Sequence, residues 1–415
     1  MRHHWCFHLL ASLAVVTLPL ASAGSVVCTH LTFTISATAS NQIYAHPPDQ
    51  DNATSVIDFI AESFGPEGSP VDGTREVTGS FSFGATYCRP SAHSPAKTTG
   101  KRRDTTLYLL VHGITYDKTF WAGATRDPAA ADSWHGIAAE KGAHSLAIDR
   151  LGTKAALLMN ANAGGSVLDP TGEVQLPVQV AIVRGLMRLL RRGGGKGGNP
   201  NLPRFDNIVY VGHSYGSVLG VNLAARSVDE RSGKVDGTGP DVLVLTGYSD
   251  ALPETLDASA AYLFSSANLV FPGRFPDPPF NMAFVTTAGG AVREAAMYAG
   301  NYSPAVAEAD FLSSDLCSAG ELGQLVQFGF TDSVDYAAGY DRPVMVATGE
   351  MDGLGCNEAV VGLSCEEILE RTKKIVPDAS AYGGLVVPDA GHSWFLHNVG
   401  AWGAGEVVDW VAAQL

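Results

Sequence analysis

The chain is poor in cysteine and in positive charge. Six cysteines are scattered over 415 residues, and 27 Lys and Arg face 42 Asp and Glu, giving a net charge of -15. Cysteines this far apart form no tetrahedral metal pattern, and no metal or organic cofactor is implied. Without a basic stripe to follow a phosphate backbone, nucleic acid is not expected as a partner. Long apolar runs are also missing. The stretch Leu9 to Leu20 is apolar but too short to span a bilayer, so no membrane anchor is expected. It follows the charged Arg2 and precedes the small residues Ala21-Ser22-Ala23. That order reads as a signal peptide over residues 1–23 and predicts secretion.

A secreted chain matures where cysteines pair. Of the five left after residue 23, Cys28 is expected to pair with Cys88 and Cys356 with Cys365, leaving Cys317 free; Cys317 with Cys356 is the main alternative. Asn52-Ala53-Thr54 and Asn301-Tyr302-Ser303 are glycosylation sequons, the second weakened by Pro304. Lys101 to Arg103 reads as a solvated, protease-sensitive loop.

With 46% hydrophobic residues the chain can bury a large core. Its most informative segment is Asn207 to Ser217, NIVYVGHSYGS, which runs on into VLGVNLAAR. An apolar β-branched strand ends in Gly-His-Ser-Tyr-Gly and passes directly into a helix. This strand, turn and helix read as a nucleophile elbow with Ser214 at its tip. Gly212 and Gly216 leave room where strand and helix nearly touch, so the serine can take a strained backbone conformation.

Strand patterns are expected at Leu31 to Ile35, Val77 to Cys88, Leu107 to Val111, His144 to Ile148, Ile208 to Val211, Val242 to Leu245, Pro343 to Ala347 and Leu385 to Val387. Helical spacing marks Ser55 to Ser63, Val178 to Leu190 and Glu406 to Ala413. This alternation predicts an α/β fold, with a mostly parallel central sheet flanked by helices. The gap between the strands at 242–245 and 343–347 is too long for one crossover. The expected organisation is therefore an N-terminal extension at 24–76, a core at 77–250 and 341–415, and a mainly helical cap inserted at 251–340. Such a cap would lie over the C-terminal sheet edge, where ligands bind in open α/β folds.

A serine hydroxyl needs a base to take its proton, and the base needs an orienting acid. The order expected along such a fold is Ser, acid, His. Ser214 is the candidate nucleophile, Asp352 the acid after the strand in MVATGEMD, and His392 the base in DAGHSW. Asp250 is the competing acid, with Glu350 nearer the strand and Asp389 read as a turn former. His213 and His397 are worse placed as bases. Backbone amides should form the oxyanion hole: Tyr215 after the nucleophile and Ile114 in HGITYDKTFW, with Thr115 next. Tyr116, Phe120 and Trp121 either line the pocket or pack.

The segments VHGITYDKTFW, AIDRLGTK, VYVGHSYGS, VMVATGEMD and DAGHSW resemble, in order and spacing, the α/β-hydrolase superfamily. They look most like its secreted fungal members, some linked to secondary metabolism, from about Val77 to the C-terminus. The resemblance implies Ser214, Asp352 and His392 as catalytic residues and the Ile114 and Tyr215 amides as the oxyanion hole. It also implies a structural role for Asp149-Arg150-Leu151-Gly152. The chain lacks the His-Gly-Gly-Gly run of lipases, which argues against a triacylglycerol lipase.

The first functional reading is a serine hydrolase acting on a small or medium apolar carboxylic ester or lactone through an acyl-enzyme; an amidase would use the same atoms. The second is a non-hydrolytic tailoring enzyme, an acyltransferase, lyase or cyclase, acting on a polyketide-like fungal metabolite. The third is a non-catalytic binding protein, which a lost Ser, His or acid would have marked.

Overall fold

The computed structural model describes residues 26–65, 67–91, 105–193, 202–229, 232, 235–325 and 336–415. Residues 1–23, read above as a signal peptide, Lys101 to Arg103 and most of the glycine-rich run after Arg192 lie outside them.

Short runs of Val, Leu and Ile form the centre of the sheet because both of its faces are covered. Before the cap come β1 (Val26–Tyr44), β2 (Val71–Pro90), β3 (Thr106–Val111), β4 (His144–Ile148), β5 (Asn207–His213) and β6 (Val242–Thr246). Within the cap lie β7 (Phe264–Ser266), β8 (Phe284–Thr287) and β9 (Cys317–Ser318), and after it β10 (Val344–Gly349) and β11 (Tyr382–Val387). The main sheet has the order β1-β2-β4-β3-β5-β6-β10-β11. β2 pairs antiparallel with β1 and β4, and the strands from β4 to β11 run parallel. In β3, Leu107, Leu109 and Val111 join one core, and Tyr108 and Leu110 join the core on the other face. Each such fully buried aliphatic side chain contributes about 1.5–3 kcal/mol.

Helix α1 (Ala53–Phe64) lies between β1 and β2 in the chain, α2 (Trp134–Glu140) precedes β4, and α3 (Lys154–Met159) and α4 (Leu176–Arg192) follow it. Helix α5 (Tyr215–Ala225) leaves the tip of β5. Residues of α1, α4 and α5 pack in the first core, and those of α2 and the last helix, Gly400–Gln414, in the second.

The N-terminal region differs from the sequence expectation. The short strand at Leu31 to Ile35 is the middle of β1, and the boundary drawn at 76/77 falls inside β2. The two strands pair from Val26↔Pro90 to Tyr44↔Val71, so the extension belongs to the main sheet. Cys28 and Cys88 face each other across this hairpin and are disulfide-bonded, as are Cys356 and Cys365; Cys317 is free and buried. The inserted cap is helical, as expected. It carries the small antiparallel sheet β7-β8-β9 beside helices such as Gly290–Met297 and Pro304–Ser313.

Candidate active site

The loops after β3, β5, β10 and β11 leave the same edge of the parallel sheet, and these four loops carry the candidate residues. At the tip of β5, Ser214 has φ 54 and ψ -118, a left-handed conformation that is costly for a residue with a Cβ. It is held there by its amide, which donates to the Thr246 carbonyl at 2.8 Å, and by its carbonyl, which accepts from the Ser217 amide at 2.7 Å. A Cβ on Gly216 would overlap the Val111 carbonyl, and one on Gly212 the Gly216 carbonyl, so only glycine fits on either side of the elbow. The loop after β3 crosses just above: a Cβ at Gly113 would come within 2.9 Å of the Ser214 Cβ.

His392 lies after β11. Its Nδ1 is 3.0 Å from both carboxylate oxygens of Asp352. Asp352 is fully buried and also accepts from the Leu354 and Gly355 amides at 2.9 Å and from Thr348 Oγ1 at 2.8 Å. Burial alone would raise the pKa of this carboxyl. The His392 charge, its hydrogen bond and the two amides outweigh that and bring it down from 3.8 to about 2. A carboxylate on Nδ1 fixes the tautomer and leaves Nε2 available for a second partner.

The competing residues are engaged elsewhere. Asp250 pairs with Arg371 and Lys374, both at 2.8 Å, and accepts from Thr372. Glu350 accepts from the Asp389 amide at 3.0 Å, and Asp389 occupies a left-handed turn with φ 51. His213 is stacked on Phe120 with ring centroids 4.5 Å apart, and its Nδ1 is 3.1 Å from Thr246 Oγ1. Burial, with the charge of His392 adding to it, holds its pKa well below the usual histidine range. His397 supports the loop that carries His392: its Nε2 accepts from the Gly391 amide at 3.1 Å.

Ser214, His392, Ile114 and Tyr215 line one cavity. The cap supplies much of the rest, including Leu252, Leu256, Leu263, Phe264 and Met297. Tyr116 lines it as well, whereas Phe120 and Trp121 pack into the aromatic cluster behind. The described residues around the cavity include no carboxylate, lysine or arginine. Among the described residues, no group of three or more His, Cys, Asp or Glu is arranged to hold a metal ion.

One contributor escaped the sequence reading, and a second was read there only as part of a structural loop. Phe64, the last residue of α1, reaches the cavity wall and packs edge-on against Phe264 with centroids 6.3 Å apart. Nothing in the local sequence marks it, because the contact joins residues 200 positions apart. Arg150, in the Asp-Arg-Leu-Gly loop, is buried and donates to the His112 and Gly113 carbonyls at 3.0 and 3.1 Å. Its guanidinium lies 4.7 Å from the centre of the Tyr215 ring and pairs with Glu321 of the cap. This loop therefore holds the peptide plane that carries the Ile114 amide.

The alpha/beta hydrolase family profile matches residues 108–402, and the chain belongs to that family. No curated protein matches its sequence. Among solved structures, a peroxisomal alpha-beta-hydrolase from Saccharomyces cerevisiae is similar at 10% identity over 93% of this chain and 91% of the other, with a TM-score of 0.44. A thermophilic esterase from Thermogutta terrifontis is 13% identical over 80% of this chain and 94% of the other, with a TM-score of 0.46. A hypothetical protein from Pseudomonas aeruginosa is 13% identical over 99% of this chain and all of the other, with a TM-score of 0.45.

Proposed function

We propose that this α/β hydrolase is a secreted serine hydrolase that cleaves a small or medium apolar carboxylic ester or lactone. The observation that carries the proposal is the fixing of His392 Nδ1 by both oxygens of Asp352, in a cavity that also presents Ser214 on a left-handed elbow. In this reading Ser214 Oγ attacks the ester carbonyl carbon while Nε2 of His392 takes its proton. The carbonyl oxygen becomes an oxyanion and is held by the Ile114 and Tyr215 amides. As the carbon–oxygen bond breaks, the imidazolium returns the proton to the departing alkoxide. Water then attacks the acyl-enzyme by the same proton route and releases the acid and Ser214.

The lining argues for an uncharged acyl group. Burying a charge against leucine, phenylalanine and methionine side chains costs several kcal/mol without a partner, and the described residues of the cavity wall include no carboxylate, lysine or arginine to serve as one. The same apolar wall also suits a second reading, transfer or cyclisation of a polyketide-like metabolite with water kept out. Free acid among the products separates the two. The two disulfides accord with an oxidising compartment and so with the signal-like segment at 1–23. A fungal source rests on the resemblance alone.

The test is hydrolysis of a short-chain aryl ester by the wild-type protein and by Ser214→Ala. Loss of such a nucleophile costs about 10⁶ in kcat. A variant that keeps more than about a tenth of the activity contradicts the covalent route.

A further inference from the structure

The cap carries a fully buried charge that the proposed reaction does not use. Arg293, on the helix Gly290–Met297, is 0% exposed, and its partner Asp310, on the helix Pro304–Ser313, is 6% exposed. The pair is bidentate: Nε donates to Oδ2 at 2.7 Å and Nη2 to Oδ1 at 3.0 Å. Burial disfavours the charged arginine, but Asp310 beside it more than compensates and raises its pKa. A pair of this kind is an expensive way to hold two helices together. Well-packed apolar residues commonly do so equally well or better.

The remaining contacts show where the charge is directed. Nη1 donates to Thr115 Oγ1 at 2.9 Å and to Thr287 Oγ1 at 3.0 Å, and the guanidinium lies 4.4 Å from the centre of the Tyr116 ring. Thr115 follows Ile114 directly and sits in the left-handed region with φ 58, which a β-branched residue adopts only when its surroundings hold it there. Its carbonyl accepts from the Asp315 amide at 2.9 Å, a second tie to the cap. The Tyr116 hydroxyl is 2.6 Å from Ser393 Oγ and donates to Asp310 at 3.3 Å. Ser393 is the neighbour of His392, and its amide donates to the Met297 carbonyl at the end of the Arg293 helix. One cap-borne ion pair thus touches the loop of the Ile114 amide and, through Tyr116, the loop of His392.

We infer that Arg293 and Asp310 are positioning residues that set the oxyanion loop and the His392 loop relative to each other, with Tyr116 as the link. This rests on the reading of Ser214 and His392 given above. Neither residue is among those lining the cavity of Ser214 and His392. The pair holds Thr115 in its left-handed conformation, so that the Ile114 amide stays aimed at the carbonyl oxygen while Tyr116 and Ser393 fix the base.

The experiment compares wild type, Tyr116→Phe and the double variant Arg293→Met with Asp310→Leu, using a short-chain aryl ester and a boronic acid that forms a tetrahedral adduct at an active serine. Thermal melting establishes that each variant is folded, and Ser214→Ala is run alongside. The double variant replaces the ion pair by apolar side chains, so a purely structural pair can be removed without loss of rate. Misplacement of catalytic groups by about 1 Å costs about 10²-fold, so a fall in kcat of that order is expected for the double variant, with KM within about threefold. The boronic acid should weaken by a similar factor. Tyr116→Phe removes a single hydroxyl and should lower kcat about tenfold, again with little change in KM. If the folded double variant, or Tyr116→Phe should the double variant not fold, keeps kcat and boronic acid affinity within about twofold, the inference is overturned while the proposed reaction stands. If Ser214→Ala remains active, the underlying reaction is wrong and the inference falls with it.

Discussion

Both carboxylate oxygens of Asp352 lie 3.0 Å from Nδ1 of His392. A carboxylate at this position accepts a hydrogen bond from Nδ1, leaves Nε2 free to act as the base, and stabilises the imidazolium that forms during the reaction. Replacing Asp352 by Asn keeps the shape but allows the amide to donate, which favours the opposite tautomer. The expected result is a fall in kcat of about 10⁴ with KM little changed. Steady-state kinetics on an aryl ester check this, and a loss confined to KM would contradict the role.

The same carboxylate should leave a signature in acid. Its pKa is lowered from 3.8 to about 2 in the folded protein, so its contribution to stability is complete above about pH 4 and is lost as the pH falls toward 2. The difference in Tm between the wild type and Asp352→Asn should therefore be constant above about pH 5 and narrow between about pH 4 and pH 2. A difference that widens on acidification would show that Asp352 is not stabilised as a carboxylate.

The elbow, the parallel strands and the long insertion were legible in the sequence because each leaves a local pattern: an apolar run, a glycine-flanked serine, a gap too long for one crossover. The length of β1 was not. Its inward positions past Ile35 include Ala37 and Ala39, too small to mark a strand. Its outward positions Thr34, Ser36 and Thr38 bond across the hairpin to Ser82, Ser80 and Thr78, and such residues read equally well as loop. Order along the chain favoured Asp352 over Asp250 without separating them physically. That separation comes from Arg371 and Lys374, more than 100 residues beyond Asp250. Contacts formed only by tertiary folding, such as Phe64 against Phe264 and Arg293 against Thr115, left no local pattern to read.

Phe64 brings the segment before the family match into the cavity wall. Phe64→Leu should enlarge the cavity beside Phe264 and move the preference toward longer or branched acyl chains. Discrimination per methylene is about 1–3 kcal/mol, so the ratio of kcat/KM between two chain lengths should change by at least about tenfold. A series of aryl esters from two to ten carbons measures it. An unchanged profile in a folded variant would show that Phe64 only supports the wall.

The disulfide across the long hairpin should matter to stability and not to chemistry. Cys28 and Cys88 are separated by 60 residues and close a loop that includes α1. Replacing both by Ser should cost about 2–4 kcal/mol of folding stability. Denaturant unfolding reads that loss, and kcat at 25 °C should stay near the wild-type value. A large fall in kcat would tie the hairpin to the site more directly than the pocket contact of Phe64 does.

The proposal that Ser214 is an activated nucleophile can be tested without knowing the natural substrate. The purified protein is treated with an alkyl fluorophosphonate, and its mass is measured intact and after digestion. The account predicts one adduct per chain, on the peptide containing Ser214, formed rapidly by the wild type and abolished in Ser214→Ala and strongly slowed in His392→Ala. No adduct on the folded wild type, or an adduct on another residue that persists in Ser214→Ala, would contradict it.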